Sequence, residues 1–348
     1  MSVKQNTFLV PLVLVTAAAA GLALLVNGGR TGGGDARLVV YCAHDAAYAQ
    51  SVIDLFERQT GINVDVRFDE EANKSLGLTN LLIAEKDNPR CDVFWNNQTL
   101  GTVRLMSDDV LQPYLSPNAD RIPSAFKDAG GNWTGFAARL RVYLVNTDQM
   151  AATEAAVAEK LSQESLSRVA IAKPQFGTTL SHYSVIAAEQ GMDELQAWHQ
   201  DIHRRGIREA RGNSMTKDLV AEGICDLSFT DTDDAFVAID DGKPVSMLPV
   251  RLQDGRTICL PNSVALIRGC SHPEPAKAFI DFLLSEEVEL LLAQSKARQI
   301  PLGPVDESQL PAEVQELRVW AADGADLIPA GRVNQQVLDW LTAEHTGG

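Results

Sequence analysis

From residue 37 to residue 95, apolar runs of strand length alternate with stretches whose apolar residues recur at helical spacing, and no other feature restricts the fold as much. Leu38 to Cys42 reads LVVYC, the length of a buried strand. Ala46 to Gln59 carries Val52, Ile53, Leu55 and Phe56 on one helical face, and Thr60-Gly61 is a helix stop. Ile62 to Phe68 alternates apolar and polar residues as a half-buried strand does. Leu76 to Lys86 is helical, Asp87-Asn88-Pro89 is a turn, and Cys91 to Trp95 is a third strand. Strands alternating with helices demand right-handed crossovers and a parallel sheet. Ligands of such sheets bind beyond the carboxyl ends of the strands. Function is therefore expected just after Cys42, Phe68 and Trp95.

The same style continues. Phe136 to Asn146 is a strand long enough to run from one lobe into another. Strands are expected at Val169 to Ala172, Asp226 to Phe229 and Asn262 to Arg268, with an extended segment at Gly206 to Glu209. Helices are expected at Gly177 to Glu189, Met192 to Arg204, Met215 to Glu222, Ala276 to Leu284 and Glu286 to Ala297. His182, His199 and His203 fall on helices and read as structural. Upstream of all this, Phe8 to Val26 is an uncharged apolar run of 19 residues after Lys4. As a helix it would reach roughly 29 Å, the thickness of a bilayer core. With the glycine-rich linker Asn27 to Gly34, residues 1–36 read as a signal peptide or a membrane anchor. Either outcome exports the rest of the chain.

Charge narrows the partners. Thirty basic against 46 acidic residues give a formal charge of −16, and no basic cluster of the kind that holds nucleic acid is present. The five cysteines have no CxxC and no metal-ligand spacing. Cys42, Cys91 and Cys225 lie in or beside strands as small apolar side chains. Cys259 and Cys270 bracket a strand and could pair only if the chain doubles back.

Four segments, in order, resemble bacterial solute-binding proteins of the ferric-iron type. The first runs from Val40-Tyr41 through Phe56-Glu57 to Thr60-Gly61-Ile62-Asn63-Val64. The second joins Leu82-Ile83-Ala84-Glu85-Lys86 to Cys91-Asp92-Val93-Phe94-Trp95. The last two are Pro261 to Ile267 and the helix His272-Pro273-Glu274-Pro275-Ala276-Lys277-Ala278-Phe279-Ile280-Asp281-Phe282-Leu283. The resemblance covers about residues 37 to 305. It implies an α/β fold of the periplasmic-binding-protein type II: two α/β lobes joined by a hinge, with a cleft between them that closes on ligand. The lobes are expected at residues 37–138 with 247–300, and 139–246 with 301–348. It implies a periplasmic, monomeric protein of an ABC importer whose partners are a small-molecule or metal-ion solute, the permease and the ATPase. In ferric-binding relatives two adjacent tyrosines, a histidine and an acidic residue hold the iron. Here Asp233-Asp234 stand where the tyrosine pair would be, and Asp45, beside His44, stands at the histidine position. The chain thus resembles a sub-branch that keeps the fold and carries Thr230-Asp231-Thr232-Asp233-Asp234 instead.

The residues themselves suggest how a solute is held. Asp231, Asp233 and Asp234 follow a strand, and three carboxylates together raise one another's pKa unless a cation or donors neutralise them. They suit Fe(III) or another hard cation with a synergistic anion, or else cap a helix that follows, with Thr230 or Asp231 at its N-cap. Gly177-Thr178-Thr179 opens a helix whose free N–H groups make an anion site, and Asn213 opens another. Glu70 and Asn73 follow the second strand, while Trp95, Asn96 and Asn97 follow the third; all five are expected on the rim, with the indole giving apolar contact. Arg139 and Arg141 share one face of the crossing strand, where they suit a carboxylate or phosphonate. No catalytic residue and no catalytic cofactor is expected: G-x-S-x-G, H-E-x-x-H and the Walker A motif are all missing. Two alternatives stand beside solute capture for import: a membrane-tethered ligand sensor, and an enzyme using His44-Asp45 beside Cys42.

Overall fold

The structure, a computed structural model, describes residues 37–69 and 75–346. The export segment expected at residues 1–36 and the expected rim residues Glu70 and Asn73 lie outside the described residues. The elements run β1 (Arg37–Cys42), α1 (Ala46–Thr60), β2 (Asn63–Phe68), α2 (Leu76–Ala84), β3 (Val93–Asn96), α3 (Leu100–Ser107), β4 (Leu111–Gln112), β5 (Thr134–Asn146) and α4 (Glu154–Ser162). They continue with β6 (Val169–Ala172), α5 (Gly177–Gln190), α6 (Met192–Arg204), β7 (Arg208–Ala210), α7 (Asn213–Ala221), β8 (Leu227–Asp231), α8 (Thr232–Asp240) and β9 (Val245–Pro249). The chain closes with β10 (Cys259–Ile267), α9 (Pro273–Leu283), α10 (Glu286–Gln294), α11 (Ala312–Ala322) and α12 (Ile328–Thr346).

As the alternation requires, β1 pairs in parallel with β2 and β3, and β6 with β7 and β8. The hydrogen-bonded order is β2-β1-β3-β10-β5-β8-β6-β7, with β4 on β10 and β9 on β5. Strand β5 joins the two parallel groups. Its first half, Thr134 to Leu140, pairs antiparallel with β10; its second half, from Arg141, pairs with β8 and β9. The register slips at Pro261/Asn262 on β10, opposite Ala137, a residue with φ of 41°. Buried Glu289 of α10 holds this place. Its carboxylate accepts from the backbone N–H groups of Ala137, Leu302 and Gly303 and from the Arg121 guanidinium at 2.6 Å. These described residues fall within one compact unit.

Apolar spacing explains the layers. Val52, Ile53 and Phe56 of α1 pack with Phe279 of α9 against Trp95 and Phe136. Leu78 and Leu82 of α2 and Val103 of α3 cover the opposite face with Tyr41 and Phe94. Helix α1 ends as expected, with Gly61 at φ 71° donating its N–H to the Glu57 carbonyl, a conformation that favours a residue without Cβ. All five cysteines are free thiols, and Cys259 and Cys270 do not pair. Strand β10 runs extended from Cys259 to Ile267 and carries the two apart.

Candidate functional site

The helices α5, α7 and α8 each start where a strand has just ended, and their N-termini meet at one cavity of about 270 Å³. It is lined by Ala172, Lys173 and Phe176 to Thr179, by Gly212 to Ser214 and by Asp231, Asp233 and Asp234, together with Asp45, Asn97 and Arg139. Helix α5 has Phe176 at its N-cap and α7 has Gly212, and neither start receives a side-chain cap. The first-turn N–H groups of a helix lack intrahelical acceptors. Here two such sets open into one space. Gly177 begins α5 at φ 59°, a backbone conformation that costs an L side chain about 1–2 kcal/mol. The third helix carries its own anions: Asp231 is the N-cap of α8, and Asp233 and Asp234 lie in its first turn.

Beneath the cavity a charge network is fixed by register. Arg141 stands opposite Asp231 across the β5–β8 pair. Its guanidinium is fully buried and donates to Asp231 Oδ1 at 2.6 Å, to Asn213 Oδ1 at 3.2 Å and to Thr178 Oγ1 at 3.3 Å. Asp231 Oδ2 accepts from the Thr178 hydroxyl at 2.5 Å and from the Asn213 amide at 2.9 Å. Two residues earlier on β5, Arg139 donates to Asp233 of α8 at 2.8 Å and to the Asn97 carbonyl. Although burial works to lower it, the Arg139 pKa is raised by the charges of Asp233, Asp231 and Asp45. Both guanidinium groups keep buried donors without a partner among the described residues, Nε of Arg139 and Nε and Nη2 of Arg141. Asp234 differs from its neighbours. Burial, then the charges of Asp233 and Asp231, push its carboxyl well above the usual carboxylate range, which favours its protonated form.

Of the residues singled out from sequence, Asp45, Asn97, Arg139, Gly177, Thr178, Thr179, Asn213, Asp231, Asp233 and Asp234 come together around this cavity. Others do not. Trp95 is buried in the core against Phe136 and Phe279, because β3 continues through Asn96 and makes position 95 a strand interior rather than a rim. Asn96 turns its amide to Thr102 at 3.2 Å. His44 is buried and stacks on Trp95 with ring centroids 5.5 Å apart. Thr230 is buried inside β8, its hydroxyl 3.4 Å from Asp234. Arg141 supports the floor without lining the cavity. Lys173 and Phe176, in the loop between β6 and α5, also line it and were not among the residues singled out. The three aspartates place ligand oxygens within 4.8 Å of one another, a geometry able to hold a cation. No tyrosine lines the cavity.

The sequence profile of the family described as "Bacterial extracellular solute-binding protein" matches residues 51–319. Iron uptake protein A1 of Synechocystis is 26% identical over 254 residues, covering 69% of each chain. The crystal structure of apo ferric ion-binding protein A from Pasteurella haemolytica superposes with a TM-score of 0.76 at 18% identity, over 89% of this chain and 97% of that one. Also similar is the periplasmic binding protein AfuA of Actinobacillus pleuropneumoniae, solved with exogenous fructose-6-phosphate bound. Its TM-score is 0.71 at 19% identity, over 88% and 98% of the two chains.

Proposed function

Because this chain belongs to the bacterial extracellular solute-binding proteins and has the type II periplasmic-binding-protein fold, we propose that it captures a small organic phosphate or phosphonate for an ABC importer. The anionic group sits on the first turns of α5 and α7, beside Arg139 and Lys173. The remainder of the solute presents hydroxyl or amino donors to Asp45, Asp233 and Asp234. What supports this most is the convergence of two helix N-termini without side-chain caps beside buried guanidinium donors that no described residue satisfies. The phosphate ester bound to AfuA supports it further.

The lobes of this reading are residues 37–138 with 247–300, and 139–246 with 301–348, hinged where β5 changes partners at Leu140/Arg141. Closure removes the solute from water and strengthens each charge-assisted contact. The closed form then docks on a permease, and residues 1–36 direct export and either leave or remain as an anchor. Micromolar capture requires about −8.2 kcal/mol, within reach of an anion held by several charged donors at about 1.5–3 kcal/mol each.

Fe(III) with a synergistic anion is a second reading. The 4.8 Å aspartate trio favours it, as do iron-binding names among the relatives. Against it, Asp231 and Asp233 are already neutralised by Arg141 and Arg139. Calorimetric titration with fructose 6-phosphate, fructose and Fe(III)-citrate separates the two. Organic phosphate capture predicts heat from the phosphate ester and none from fructose; saturable binding of Fe(III)-citrate alone would replace this reading with the ferric one.

A further inference from the structure

Away from the cleft, α6 and strand β7 bring two imidazoles and a carboxylate together. His199 and His203 stand at i and i+4 on α6, one turn apart on the same face. Their rings pack with centroids 4.2 Å apart, tilted by 50°. The helix stops at Arg204, and Gly206, at φ 81° with its N–H on the His203 carbonyl, reverses the chain. Strand β7 then runs back at the end of the sheet, paired in parallel with β6. This return sets Glu209 Oε2 3.8 Å from His203 Nε2. His199, Gln200, His203 and Glu209, with Glu344 of α12, line a cavity of about 500 Å³ that shares no lining residue with the cleft.

The donor geometry suits a metal ion. At 3.8 Å the His203 nitrogen and the Glu209 oxygen are too far apart for a hydrogen bond. Two ligand atoms on one tetrahedral zinc, each at about 2.0–2.1 Å, lie about 3.3 Å from each other. A small rotation therefore brings this pair to coordinating distance. His203 Nε2 is shielded from solvent, and the carboxylate stands before it. Turning the Glu209 side chain, which is 27% exposed, opens that nitrogen to an ion. His199 is held from behind, its Nδ1 3.1 Å from the hydroxyl of buried Tyr183. With Nδ1 donating to the phenol oxygen, Nε2 on the other side of the ring keeps its lone pair for a metal. Imidazole nitrogens suit Zn(II) and its first-row neighbours, whereas Mg(II) takes oxygen ligands.

We propose that His199, His203 and Glu209 hold a divalent transition cation, Zn(II) or a first-row neighbour, at a site separate from the cleft, with Glu344 on its rim.

The probe is ZnCl₂, titrated into the full chain by calorimetry, with MgCl₂ as the hard-cation control. A saturable Zn(II) site is expected. His203→Gln and Glu209→Gln each remove one ligand from the half-buried rim, and each should weaken that site by at least about tenfold, since losing even an outer-shell partner costs about 10–100-fold. ¹⁵N NMR of the wild-type imidazoles gives a readout independent of any variant. Zn(II) should shift the His199 and His203 ring nitrogens together, and Mg(II) should leave both in place. The proposal is overturned if Zn(II) shows no saturable binding, if its affinity is unchanged in both variants, or if the two imidazoles keep their resonances while Zn(II) saturates.

Discussion

Replacing Arg141 with Met strips the partner from a carboxylate that is 3% exposed and lies under the cleft. Removing one member of a buried ion pair costs about 3–5 kcal/mol, mostly because the other charge is left uncompensated. Asp231 would keep two donors, the Thr178 hydroxyl at 2.5 Å and the Asn213 amide at 2.9 Å. Hydrogen bonds to a charged group contribute about 1.5–3 kcal/mol each, so the loss should fall at the lower end, about 3 kcal/mol. Asp231→Asn inverts the problem by leaving a guanidinium buried with one weaker acceptor, again at about 3 kcal/mol. In the double variant neither charge remains stranded, and the combined loss should fall short of the sum by at least about 1.5 kcal/mol. Domains are stable by about 5–15 kcal/mol, so all four proteins of the cycle can be followed by urea unfolding with tryptophan fluorescence. Losses that add to within about 0.5 kcal/mol would mean that Arg141 and Asp231 act independently and do not form one preorganised floor.

Two further outcomes follow from individual side chains. Asp234 holds its proton in the folded state, whereas an unfolded aspartate ionises near about 3.9. Above that pH the folded chain carries the extra proton, so stability falls as pH rises, by up to about 1.4 kcal/mol per pH unit until the folded group ionises. Asp234→Asn removes this slope, and its Tm advantage should be small at pH 3 and grow towards pH 7; a difference constant with pH would contradict the assignment. Glu289→Gln unties Arg121 and weakens the contacts to Ala137, Leu302 and Gly303, and should cost about 3 kcal/mol by urea unfolding. A loss below about 1 kcal/mol would mean the β5–β10 slip is held by other contacts.

The opening β1-α1-β2-α2-β3 unit was legible because its signals are local: strand-length apolar runs, one helical stripe and a glycine stop. The crossing of β5 with β10 was not, since it joins residues over a hundred positions apart and no local pattern encodes that pairing. Helix α12 escaped because Gly331 weakens helix propensity near its start, and tertiary packing against α5 and α3 overrides this. Short, half-buried β9 ends in a proline and lacks strict alternation. At the cleft, Gly177 and Asn213 were singled out as helix starts and Asp231 as a carboxylate after a strand, and the fold brings all three to one cavity. The rule that ligands gather beyond strand ends misassigned Trp95, because β3 runs further than its apolar run and a single step of register turns an indole inward. Lys173 and Phe176 carry no motif; only the fold brings them to the cavity.

An anion seated at two helix starts would be felt first by the backbone N–H groups of those starts. Amide NMR of the ¹⁵N-labelled protein, titrated with fructose 6-phosphate, observes those groups directly. The N–H resonances of Gly177 to Thr179 and of Asn213 to Met215 should move together and saturate with one dissociation constant. If they stay fixed while the first turn of α8 responds to Fe(III)-citrate alone, the cleft is an iron site and the phosphate assignment is wrong.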